Sequence, residues 1–189
     1  MYVALWNQKN KTMSTTKWSI DPTHSEIQFK VKHLVISTVT GSFKKFSGGA
    51  ETEGENFENA SIHFNMNVDS IDTNQAQRDE HLRASDFFDA AHYPEIKFES
   101  TSFKKVSGDD YKLKGNLTMK GVTKPVEIDA EFGGSAKDPY GNIKYGFEIT
   151  GKINRKEFGV SYNALTETGG LALGEDIKLI ANIQLVQAN

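Results

Sequence analysis

Alternation with a period of two residues constrains this chain more than any other feature. Ile27, Phe29, Val31 and His33 fall on one side of a run whose other side is Glu26, Gln28, Lys30 and Lys32. Alternate residues face opposite ways only in an extended strand, so the run is a strand with one dry and one wet face. It follows Asp21-Pro22, a pair that favours a turn over a helix. The same pattern recurs down the chain. Trp18 to Ile20 begins the first strand and Ile27 to Leu34 continues it; Val39 to Phe46 follows, and Gly48-Gly49 reads as a turn. Ile62, Phe64, Met66 and Val68 form the next dry row, then Ile96 and Phe98 after Pro94. Gly108-Asp109-Asp110 is a hairpin signal before Tyr111, Leu113, Leu117 and Met119. Lys120 to Pro125 reads as a connection to Val126–Phe132, and Asp138–Asn142 as a turn before Ile143–Ile153. Ile177 to Leu185 closes the series.

About eight strands joined by short turns predict an antiparallel meander. Such a sheet hides its edges by closing into a barrel or by folding into a sandwich. A barrel of about eight strands is just wide enough for one small ligand, whereas a sandwich is filled by its own side chains. Alternation alone permits both.

Two segments break the period. Between Asp72 and Asp89 the spacing becomes helical: Asp72 is a candidate cap with Gln75 as its capping-box partner, and Arg78, His81, Leu82 and Ser85 share one face. Phe87 and Phe88 follow between Asp86 and Asp89, so the helix and its two aromatics are a candidate lid for one barrel end. The second segment, Asn154 to Asp176, holds Arg155, Lys156, Phe158, Tyr162 and Gly169-Gly170, and a loop this long is commonly functional or disordered.

At 189 residues the chain suits one domain. Residues 1–16 read as a loose N-terminal extension, with Met13 a conceivable native start, and 17–189 as the barrel domain. A net charge of −3 gives no reason to expect nucleic acid. Glu51, Glu53 and Glu55 read as a solvated loop. Without cysteine there are no disulfides or thiolate sites, and five histidines without His-x-His or His-x3-His spacing predict no metal and no cofactor. No apolar run approaches the ~20 residues that span a bilayer, so no stable membrane insertion is expected. Tyr2–Trp6 is too short for a secretory core and its lysines follow it, so the chain as given is expected in the cytoplasm.

Four blocks of residues resemble the YceI-like family of lipocalin-like, polyisoprenoid-binding proteins. They are Trp18–Ser25 with Phe29–Leu34, Gly41-Ser42-Phe43 and Phe46; Ser70–Thr73 with Arg78–Arg83 and Asp86–Asp89; Pro94–Phe98; and Leu117–Val126 with Ile153–Gly159. In order, they cover about residues 18–186. The resemblance implies an all-β, lipocalin-like, extended antiparallel eight-stranded barrel with one short helix inserted between strands. It implies an isoprenoid or fatty lipid in the interior with its polar head near the mouth. It also implies homodimers in some members and a periplasmic alternative for location. It carries over no catalytic residue.

On residue type alone the apolar rows read first as an ordinary packed core. Smooth phenylalanine walls, room at Gly41 and Gly115, and adaptable methionines, taken with the resemblance, favour a tunnel. Its expected lining is Phe29, Val31, Phe43, Phe64, Met66, Phe87, Phe88, Phe98, Leu117, Met119, Phe147 and Ile149. Arg78, His81 and Arg83 are candidates for an anionic head group. The competing reading is a solvated helix face laced with Asp79 and Glu80, with an Arg83–Asp86 bridge. His24 and Ser25 are adjacent on extended chain and point apart, so they suit structural hydrogen bonds better than a nucleophile and base. His33 reads as a core histidine, and His63 and His92 as isolated. Lys120, Lys124, Arg155 and Lys156 read by default as surface cations near the mouth. The expected function is non-enzymatic binding, transport or storage of a long-chain amphiphile. An enzyme acting on an apolar substrate through Arg78, His81 and His24 is the alternative, and a sandwich interaction module a third.

Overall fold

The computed structural model describes residues 14–166, 170 and 172–188. Eleven strand segments form one sheet that closes on itself. They are β1 (Thr15–Ile20), β2 (Glu26–His33), β3 (Ser37–Phe43), β4 (Phe46–Glu53), β5 (Asn56–Asn67), β6 (Ile71–Asp72), β7 (Glu95–Ser107), β8 (Asp110–Met119), β9 (Val122–Lys137), β10 (Ile143–Asn154) and β11 (Leu173–Gln187). Three of the eight barrel positions are shared by two segments laid end to end. β1 and β2 both run along β11, β1 at its C-terminal end and β2 at its N-terminal half. β4 pairs with β1 and β3 with β2; β5 then pairs with β4 and β6 with β3. From β5 the ring runs through β7, β8, β9 and β10 back to β11, every pairing antiparallel. The result is a closed eight-stranded antiparallel barrel, sealed by the β1–β11 pairing, as the alternation and the resemblance together imply.

The double segments have a physical cause at the β1–β2 junction. The Asp21 carboxylate accepts from Thr23 N (3.0 Å) and Thr23 Oγ1 (2.6 Å), from Lys144 Nζ (3.2 Å) and Gln184 Nε2 (3.0 Å), and bonds His24 Nδ1 (2.9 Å). The Thr23 hydroxyl first, then His24, Lys144 and the Thr23 backbone, hold its pKa far below the usual carboxylate range against the opposing effect of burial. Ser25 Oγ accepts from Gln184 N at 2.9 Å. The Asp-Pro-Thr-His-Ser turn thus bends the strand while staying fastened to β11. His24 and Ser25 serve different partners and form no nucleophile–base pair.

Several local expectations are corrected. Gly48 and Gly49 are not a turn; they lie inside β4, where added Cβ atoms would fall 2.6 Å from His63 O and 2.2 Å from Trp18 O. The glycines are there because neighbouring backbones come too close for any side chain. Glu51 and Glu53 therefore sit on the wet face of β4, while the turn is Gly54-Glu55 and β5 begins at Asn56, presenting Phe57 inward. The β8–β9 connection is only Lys120-Gly121; Pro125 lies within β9, opposite Asn116, in a part paired with β8 alone. Such a position tolerates proline. β1 begins at Thr15, so residues 15 and 16 belong to the barrel; residues 1–13 and Gly169 lie outside the described residues.

Candidate functional site

One end of the barrel is closed by its own rings. Trp18, Phe57 and Tyr145 meet with centroids 4.8–5.2 Å apart, and Phe103 stacks on Tyr111 at 4.7 Å. Phe147 contacts Phe57, Phe103 and Phe132 at 5.2–6.0 Å and completes the floor. Trp18 Nε1 donates to Thr52 Oγ1 at 2.8 Å, which satisfies the one polar atom that the indole brings in.

Above the floor the interior is hollow. A cavity of about 160 Å³ is walled by Ile27, Phe64, Met66, Phe98, Leu117, Phe147, Ile149, Leu179 and Ala181 among others. Among the described residues His63 is the only titratable one in its wall. An apolar cavity of this size does not hold water stably, so it favours apolar occupants. A second cavity of about 300 Å³ lies toward the other end and is walled by Phe29, Val31, His33, Val39, Leu82, Phe87, Phe88, Tyr162 and Ile177. The two meet along β2 and β11, at a rung where Phe29 of the outer one faces Leu179 of the inner one.

The helix α1 (Ala76–Arg83) and the turns after it cover this outer cavity. Gln75 caps α1 by accepting from Arg78 N; Asp72 does not, because it belongs to β6 and accepts from Asn74 N. Asp79 is not on a solvated face: it is buried and accepts from Thr73 N at 2.9 Å and Thr73 Oγ1 at 2.5 Å. Arg78 grips the same residue, through Nε to Thr73 Oγ1 and Nη2 to Thr73 O, both 2.7 Å. These bonds tie the helix to the barrel wall. After Arg83 the backbone N–H of Phe87, Phe88 and Ala90 donate back to Ala84, Leu82 and Arg83. That fold-back turns both phenylalanines inward, and Phe88, Phe43 and Phe29 form a chain of rings.

The outer cavity is basic. Among the described residues its wall holds Arg78, Arg155, His33 and His81 and no carboxylate. His81 bonds Asp86 Oδ2 at 2.8 Å and packs edge-on against Phe87 and Tyr162. The hydrogen bond from His81 is the main reason that the Asp86 pKa lies below its ordinary value. Arg155 is 5 % exposed, so the reading of it as a surface cation fails. Its Nε donates to Gly174 O (2.9 Å) and its Nη1 to Val160 O (2.7 Å) and Tyr162 O (2.8 Å), while Nη2 has no partner among the described residues. Burial depresses its pKa, with Glu175 opposing. A buried guanidinium with a spare amino group beside an apolar cavity has the chemistry to receive one anionic group.

Most of the expected lining is brought together, but in two tiers. Phe29, Val31, Phe87 and Phe88 line the outer cavity; Phe64, Met66, Phe98, Leu117, Phe147 and Ile149 line the inner one. Phe43 is buried one layer behind, against Phe29 and Phe88, and Met119 packs at the margin of the core; neither is in a cavity wall. Gly41 and Gly115 leave no open space: the rings of Phe29 and Phe98 lie over them, within 2.4 Å of where a Cβ would stand. Of the head-group candidates, Arg78 and His81 line the outer cavity and Arg83 does not. The Arg83–Asp86 bridge is replaced by His81–Asp86, and Arg83 Nε is buried without a partner among the described residues. His33, expected to be a satisfied core group, lines the outer cavity, and its ring makes no hydrogen bond among the described residues. Lys120 donates to Ser85 O, and Lys156 pairs with Glu175 at 2.8 Å; Lys120, Lys124 and Lys156 are all absent from the cavity wall. Wall residues missed from sequence include Arg155 and Tyr162 at the outer cavity and Leu179 and Ala181 at the inner one. Arg155 does stand within the Ile153–Gly159 block, directly where β10 ends in a 3-10 turn.

Comparison with known proteins agrees with this geometry. A UPF0312 protein of Serratia proteamaculans is 39% identical over 165 residues, 87% of this chain and 82% of its own. The crystal structure of the Campylobacter jejuni YCEI protein superposes with a TM-score of 0.73 at 34% identity, covering 84% of this chain and 90% of that one. A polyisoprenoid binding domain from Saccharophagus degradans, 15% identical, shares the fold with a TM-score of 0.65 over 90% of this chain and 98% of its own. The model of the YceI-like domain matches residues 18–185, essentially the whole barrel, and the chain belongs to that family.

Proposed function

We infer that the protein binds and carries a single-tailed amphiphile, an isoprenoid or fatty chain with a compact anionic head, without transforming it. The observation that carries this reading is the division of the interior. The inner cavity is walled by hydrocarbon and aromatic side chains apart from His63, and the outer one adds four basic residues with no acid among the described residues. A tail goes where water does not, and a carboxylate or phosphate goes where guanidinium groups are. The S. degradans domain of the same fold is described as polyisoprenoid binding, which supports the prenyl side of the reading.

Magnitudes favour it. A tail of about fifteen carbons gains roughly 12 kcal/mol at ~0.8 kcal/mol per methylene. Association and chain ordering cost about 4–15 kcal/mol of that. At the low end of that cost about 8 kcal/mol remains and the tail alone brings affinity to about the micromolar range, and the head group decides orientation and selectivity. The enzymatic alternative needs two titratable groups converging on one spot. Arg78 and His81 are at the outer cavity, but His24 is held in the β1–β2 turn. The test is titration of solvent-extracted protein with a fluorescent acyl or prenyl probe, competed by palmitate against palmitamide and by farnesyl phosphate against farnesol. The acids should displace the probe at lower concentration than their neutral partners. Failure to take up any probe would remove the proposal.

A further inference from the structure

Among the described residues, the turn between β2 and β3 holds the only apolar side chains at positive φ. Its three residues are Leu34, Val35 and Ile36, and Val35 and Ile36 are 81 % and 87 % exposed. Leu34 and Val35 hold φ values of 51° and 65°. That left-handed region suits Asn and Gly, and for a β-branched valine it is a true outlier. A folding requirement alone would be met by polar turn residues, with less strain and better solubility. Strain of this kind persists where function maintains it.

The turn stands at the rim of the outer cavity. His33 and Val39, on the strands leading into and out of it, line that cavity. Leu34 N donates to Ala172 O and Ala172 N to Ala164 O, so the turn, residue 172 and residue 164 lie side by side. Leu165, 76 % exposed, is therefore within about two strand spacings, ~10 Å, of the turn. On the wet face below, Lys30 stands directly opposite Lys178, with Lys32 beyond it. None of the three makes an ion pair among the described residues, and like charges directly opposite are unfavourable without a counter-charge.

The geometry points to a membrane-docking rim: Leu34, Val35, Ile36 and Leu165 enter the surface of an anionic lipid bilayer, with Lys30, Lys32 and Lys178 over its head groups. This rests on the carrier reading, since the docked orientation would set the cavity mouth against the source of its lipid. Four side chains fall far short of the ~800 Å² per partner of a stable protein interface. A few apolar residues with basic neighbours suit weak, reversible attachment to a negative membrane.

Flotation of the full chain with phosphatidylcholine–phosphatidylglycerol vesicles tests it. The wild type should float with these vesicles and much less with pure phosphatidylcholine. The triple variant Leu34→Asn, Val35→Gly, Ile36→Thr should melt at the same or a higher temperature, because the turn is relaxed, yet lose vesicle binding by about tenfold or more. Lys30→Glu with Lys178→Glu should abolish the preference for the anionic vesicles. Wild-type protein that stays unbound, or a triple variant that floats as well, overturns the proposal. So does a wild-type dimer that the triple variant converts to monomer without any vesicle binding, because the rim is then a self-interface. Loading of an acyl probe from cyclodextrin reads the carrier reading separately. Flotation without loading leaves the docking rim standing and removes the cargo.

Discussion

Substituting Ala181 by Phe asks whether the barrel is hollow or packed. Ala181 is the smallest side chain in the inner wall apart from glycine and its fellow alanine Ala50, and it faces Ile149 on β10 and Ile27 on β2. The phenyl ring would take the space of roughly four to six tail methylenes, each worth ~0.8 kcal/mol. Probe affinity should fall by about 3–5 kcal/mol, two to three orders of magnitude or more. Stability should respond in the opposite sense from a packed core. Into a void of about 160 Å³ the ring adds buried apolar surface, so the melting temperature holds or rises. Forced into a filled core it costs ~1–3 kcal/mol, and at ~2–4 °C per kcal/mol the transition would drop by several degrees. Calorimetry and probe titration on the same solvent-extracted sample measure both. A lowered transition with unchanged affinity would refute the reasoning, since the interior would then be solid and the tail bound elsewhere.

Arg155→Met strands the carbonyls of Gly174, Val160 and Tyr162, and should cost about 3–5 kcal/mol in denaturant titration, with Arg155→Lys restoring only part. Asp21 has a folded pKa below its unfolded value of ~3.9, so its contribution is complete above about pH 5 and is lost as the pH falls through and below 4. Asp21→Asn should therefore lower stability by about 1–3 kcal/mol at neutral pH and flatten the acid limb of a stability–pH curve; a limb as steep as wild type assigns acid sensitivity elsewhere. Gly41→Ala places a Cβ 2.3 Å from Phe29 Cζ, so the ring must swing away. About 1–3 kcal/mol of destabilisation and a changed probe affinity should appear together.

Much of the fold is legible because the strands carry their faces in a period of two. Phe29, Phe64, Phe98 and Phe147 all point inward as alternation requires. The errors have local causes. Gly48-Gly49 looks like a turn because the sequence does not reveal that β1 and β5 press close on both sides. Asp72 looks like a cap because its pairing with Ser42 joins residues thirty apart. Asp79 looks solvated because its partner, Thr73, is reached only once the strand–helix corner has folded. Arg155 is the largest miss. Its side chain is drawn inward by carbonyls on a loop and on β11, and no spacing in the chain announces that. The helix over one barrel end is legible, as are Arg78 and His81 as its basic groups; only the tertiary fold separates them from Arg83, which is absent from the cavity wall.

Native mass spectrometry of protein taken from cells without detergent or organic solvent addresses the hollow barrel most directly. The account predicts a protein ion carrying one bound amphiphile with an acidic head, lost in the Ala181→Phe variant. Bare protein at its sequence mass, unchanged after incubation with an excess of prenyl phosphate or fatty acid, would contradict it.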